Sequence, residues 1–66
     1  MDNHNLYNEL RGKRIRLIEM PEDPNPIQSG TEGTILYVDD AGTIHVLWDD
    51  GRKLGVIKGV DKYEIL

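Results

Sequence analysis

Two arginines, two residues apart, carry the strongest chemical signal in this sequence. Arg14 and Arg16 stand in the run Arg14-Ile15-Arg16-Leu17, and on a strand that spacing puts both side chains on one face. Guanidinium groups hold phosphates and carboxylates in a bidentate manner. Arg11 and Lys13 extend the basic cluster. A purely structural role competes with anion binding. From Leu17 to Gly51 every ionised residue is acidic, and exposed arginines commonly pair with such neighbours.

The remaining candidates are weaker. His45 could act as a base or touch a ligand, but a catalytic base needs a positioned nucleophile. The only serine is Ser29, in a proline-rich stretch, and cysteine is absent. Asp39-Asp40 and Asp49-Asp50 would hold a divalent cation only if two turns converged, and neither has the spacing of a calcium loop. Asp and Gly in such runs more often make turns. Gly30-Thr31-Glu32-Gly33-Thr34 lacks the lysine and following helix of a phosphate-binding loop, so its glycines are expected to permit a tight strand entry. Pro21-Glu22-Asp23-Pro24 fits the outline of a polyproline ligand, yet its acidic middle reads as a rigid turn. No metal or cofactor is expected.

The elements that must position these residues are small. Sixty-six residues make one domain. Phenylalanine is absent, so the core is expected to be Ile, Leu and Val around Trp48. No segment has the apolar length to cross a bilayer, and no signal-peptide pattern opens the chain. A cytoplasmic protein without membrane contact is the expectation. The net charge of −4 disfavours general nucleic-acid affinity.

Along the chain, residues 1–11 read as an N-terminal arm or short helix, with Leu6, Tyr7 and Leu10 on one side and Gly12 ending it. Residues 12–66 read as the folded domain. Strands are expected at Lys13–Met20, Thr34–Val38, Thr43–Trp48, Lys53–Ile57 and Tyr63–Leu66. The adjoining Leu17-Ile18 pair breaks the alternation and predicts a bulge. Pro21 to Gly30 forms a long loop suited to cover one end, and Asp49-Asp50-Gly51 marks a hairpin. In the third strand Ile44, Val46 and Trp48 share one face, which makes Trp48 core rather than a binding aromatic. His45 and Leu47 share the other face, with Leu47 expected near Ile18 or Ile35. This pattern predicts an all-β fold, a small SH3-like barrel of about five strands.

The runs Gly12-Lys13-Arg14-Ile15-Arg16-Leu17, Met20 to Ile27, Gly33-Thr34-Ile35, Val38 to Val46 and Trp48-Asp49-Asp50-Gly51 closely resemble the family catalogued as domain of unknown function 4314. The resemblance runs from about Gly12 to the end and leaves Met1 to Leu10 outside. It implies a place among proteins of bacteria, phages and mobile elements, with no activity and no catalytic residues to carry over. More distantly the chain looks like other SH3-like barrels that bind proteins or nucleic acids, and a shared fold transfers no function.

Without a catalytic set, the expected function is a non-enzymatic binding module of a phage or mobile element. Its partner would be a protein or its own subunits, met by the proline-rich loop, the Arg14/Arg16 face or the Leu47 patch. Candidate binding residues are Arg11, Lys13, Arg14, Arg16, Tyr37, His45 and Leu47. A second reading is a homo-oligomer that binds a small anionic ligand. Basic residues with tyrosines such as Tyr37 would suit a nucleotide, as in a counter-defence sponge. Nucleic-acid binding through the basic strand face is the third.

Overall fold

The computed structural model describes residues 9–66. Its strands are β1 (Arg14–Glu19), β2 (Glu32–Val38), β3 (Ile44–Trp48), β4 (Lys53–Val56) and β5 (Lys62–Ile65). All ladders are antiparallel, in the order β4-β3-β2-β1-β5. The expected all-β class and strand number hold. The expected arm over 1–11 lies outside the described residues except for its end. There Glu9 and Leu10 are helical, Leu10 packs on the core, and Gly12 follows with φ of 83°.

Alternation decides the two faces. Ile15 and Leu17 of β1, Ile35 of β2, Ile44, Val46 and Trp48 of β3 and Val56 of β4 point inward and are buried. Trp48 is the largest of them, and its indole Nε1 donates to the Leu54 carbonyl at 2.9 Å, so its one polar atom is satisfied. Met20 and Ile27 complete the core from the loop after β1. Arg52 ties that loop down by donating to the carbonyls of Asn25 (2.8 Å) and Pro26 (3.4 Å).

Two bulges curl the sheet. The β1–β5 register shifts between Leu17 and Glu19, at the predicted place, and leaves Ile18 exposed. The β2–β3 register shifts between Ile35 and Tyr37, which the sequence reading did not anticipate. β2 also begins earlier than expected, because Gly33 pairs with both Ile15 and Trp48. A Cβ on Gly33 would stand 2.6 Å from Val46 Cγ1 and 2.8 Å from the Leu47 carbonyl. Only glycine lets β2 lie that close to β3. Leu47 projects outward as predicted, but its cross-strand neighbours are Thr34 and Lys53. Ile35 pairs with Val46 on the core side and Ile18 lies on β1, so neither expected neighbour is beside it.

Candidate functional site

The outer face of the sheet carries Arg14, Arg16, Tyr37, His45 and Leu47, and register divides it into two halves. On the first half the ladder sets opposite charges against each other. Arg16 faces Glu32 on β2 and Glu64 on β5, and donates to them at 3.3 and 2.7 Å. Arg14 faces Thr34 and donates to its hydroxyl at 2.9 Å. Its guanidinium also grips Asp49 in a bidentate pair at 3.0 and 2.5 Å, with Glu32 at 3.6 Å. The hydrogen bond from Arg14 holds the Asp49 carboxyl below the usual carboxylate range. Asp49 in turn raises Arg14 above the ordinary guanidinium value, and Glu64 followed by Glu32 does the same for Arg16. The strand face that sequence marked as the best anion site is thus neutralised by three carboxylates of its own chain.

The second half begins at the β2 bulge. Regular alternation from Ile35 would turn Tyr37 inward. The extra residue, Leu36, reverses the sense, so Tyr37 pairs with His45 and is 46% exposed. The two rings stack with centroids 4.4 Å apart and 12° between planes. His45 Nε2 lies 2.9 Å from Asp39 Oδ2. Asp39 Oδ1 accepts the backbone N–H groups of Ala41 and Thr43, both at 3.0 Å. These bonds, that from His45 first, hold the Asp39 carboxyl below its usual range. The carboxylate therefore fixes both the turn and the imidazole, and the imidazole fixes the tyrosine ring.

A groove of about 260 Å³ opens beside this stack, lined by Leu36, Tyr37, His45, Lys53, Leu54 and Gly55 among others. Gly55 faces His45 across the β3–β4 ladder. A Cβ there would meet Thr43 Cγ2 at 2.8 Å and His45 Nδ1 at 3.8 Å, so the missing side chain keeps the floor open. Arg11 donates from its Nε to the Leu36 carbonyl at 3.2 Å. Among the described residues no carboxylate pairs with Arg11, Lys13 or Lys53.

The basic cluster read from the sequence is therefore split. Arg14 and Arg16 belong to the ion-paired half, while Arg11 donates to the Leu36 carbonyl. Lys13 is exposed just ahead of β1, where its carbonyl accepts the Ile35 N–H at 2.9 Å. Tyr37 and His45 come together, and Leu47 is exposed beside Lys53. Sequence reasoning missed Gly55 and Lys53. It also missed the bulge that turns Tyr37 outward. Its signal was present, because Ile35-Leu36-Tyr37-Val38 has no alternation, the same irregularity that marked Leu17-Ile18.

A second groove of about 230 Å³ lies between the proline-rich loop and the β4–β5 connection, with Glu22, Asp23, Pro24, Ile57, Val60 and Asp61 on its walls. Its aspartates serve the backbone: Asp23 accepts from Asn25 N and Asp61 from Ile57 N, both at 2.8 Å. Among the described residues no three His, Cys, Asp or Glu side chains converge to hold a metal ion. No helix is long and apolar enough to cross a membrane among them.

No curated protein and no solved structure matches the chain significantly. A family profile does match, from residue 5 to residue 66, which starts earlier than the resemblance read from Gly12 onward. With nearly its whole length covered, the chain belongs to the family described as domain of unknown function DUF4314.

Proposed function

We propose that this chain is a non-catalytic protein-interaction module, built on an SH3-like barrel, whose contact face is the Tyr37–His45 groove. The single observation that carries the reading is a half-exposed tyrosine, turned outward by a bulge and stacked on a histidine beside an open groove. A pre-ordered, exposed aromatic of this kind offers large contact area at little entropic cost, which is why tyrosine is enriched where proteins meet. The exposed Leu47 beside Lys53 adds apolar area to the same face. Two other readings find less support. An anionic small ligand or a nucleic acid would need the guanidinium groups of Arg14 and Arg16, and these already hold carboxylates.

Capture from a lysate of the source cell tests the reading. Wild-type protein and Arg16→Gln are expected to recover the same stoichiometric protein, and Tyr37→Ser to lose it. Loss with Arg16→Gln and retention with Tyr37→Ser would move the contact to the arginine face. Recovery of no stoichiometric protein by any of the three would contradict the proposal.

A further inference from the structure

We infer that the groove recognises an acidic peptide segment, a carboxylate-bearing stretch with an apolar or aromatic side chain seated beside Tyr37; this rests on the groove being the contact face. Three observations converge on that chemistry. The first is size. About 260 Å³ is below the roughly 300–1,000 Å³ of pockets that enclose a whole small ligand. It suits one or two side chains of a longer partner. The second is the lining. Leu36, Tyr37 and Leu54 offer an apolar wall, and Gly55 leaves the floor without a side chain. The third is charge. Lys53 lines the groove, Arg11 donates to the carbonyl of the lining residue Leu36, and neither has a carboxylate partner among the described residues. The Asp39 carboxylate is engaged by His45 and by two backbone N–H groups. Cations left unpaired beside an apolar wall complement a partner that brings its own carboxylates.

The same arrangement disfavours a nucleic acid. A polyanion is held by a continuous cationic track along its backbone. Here the cations stand apart, the neighbouring half of the face carries Glu32, Asp49 and Glu64, and the chain as a whole is acidic. A short segment escapes that unfavourable field, because each carboxylate needs only one local cation and the wider charge is screened within about a Debye length.

The test uses the full chain, labelled for amide spectra, and three probes. Two are short synthetic peptides with a central tryptophan, flanked by glutamates in one and by lysines in the other. The third is oligothymidylate. The glutamate peptide is expected to shift Tyr37, His45, Lys53 and Gly55 saturably, with affinity falling as salt rises. Lys53→Glu should reverse the order of the two peptides, and Tyr37→Ser should weaken both at least about tenfold, as for a central interface anchor. Equal or stronger binding of the lysine peptide at the same residues would overturn the acidic preference and leave the interaction-module reading standing. Stronger binding of oligothymidylate there would replace the peptide with a nucleic acid. If neither peptide moves the groove residues while wild-type protein still captures a partner that Tyr37→Ser loses, the acidic-segment assignment falls and the interaction-module reading stands; if that capture fails as well, both fall.

Discussion

The two halves of the outer face are built from similar residues and behave differently. Arg14 and Arg16 sit where the β2 and β5 registers and the β3–β4 hairpin bring Glu32, Glu64 and Asp49 against them. Lys53 faces Leu47 across the β3–β4 ladder and lines a groove with Tyr37, His45 and Gly55, while Arg11, ahead of β1, donates to the Leu36 carbonyl. The first half spends its charge holding strands and hairpin together. The second leaves charge and ring surface available. Arg16 and Lys53 differ by what register places opposite each, glutamates for the arginine and a leucine for the lysine.

The largest perturbation should erase both halves at once. Trp48 lies in the core beneath them and is 1% exposed, so Trp48→Ala should cost about 3–5 kcal/mol. That is a large share of the roughly 5–15 kcal/mol a small domain possesses, and chemical denaturation should show a markedly lowered midpoint. Survival of a cooperative transition at the wild-type midpoint would mean that the core does not rest on Trp48.

Acid should weaken both halves, each through its own carboxylate. Asp49 and Asp39 are both held below their ordinary range, by Arg14 and by His45 respectively. A carboxyl depressed in the folded state contributes stability that is full above the unfolded value, about pH 4, and is lost as pH falls through the folded value. Thermal melts should therefore fall below about pH 4. Asp49→Asn should flatten that fall through the paired half, and Asp39→Asn through the groove half. If neither variant changes the acid limb, these carboxylates do not carry it.

Arg14→Gln removes the bidentate partner of Asp49 and a bond to Thr34. It should lower the melting temperature measurably while the Tyr37 and His45 resonances stay in place. Tyr37→Ser should displace the His45 resonances and leave the Arg14–Asp49 pair in place. Loss of one exposed aromatic pair costs about 0.5–1.5 kcal/mol at most, so the fold should persist while partner capture fails.

Much of this architecture was legible in the chain. Alternation in Ile44 to Trp48 and in Arg14 to Leu17 assigned inside and outside correctly, because each of these strands has one buried face. The hairpin at Asp49-Asp50-Gly51 was equally readable, since Gly51 adopts a φ of 92° there. What was not legible depends on pairing across strands. No local pattern says that Glu64 will lie against Arg16, forty-eight positions away, so ion pairing of the arginines was the favoured reading while its partners were not legible. The Leu36 bulge left a mark in its unbroken apolar run, but that run fits a fully buried strand equally well. Gly55 reads as an ordinary weak spot in a strand until its neighbours Thr43 and His45 are known.

The central claim is that the two halves of one face divide the work, one holding the fold and the other meeting a partner. The most direct test measures melting temperature and partner capture together on Arg14→Gln and Tyr37→Ser. The account predicts a crossed result: Arg14→Gln less stable and still binding, Tyr37→Ser still cooperatively folded and not binding. Full stability with lost capture in Arg14→Gln, alongside intact capture in Tyr37→Ser, would contradict it and return the binding role to the arginine face.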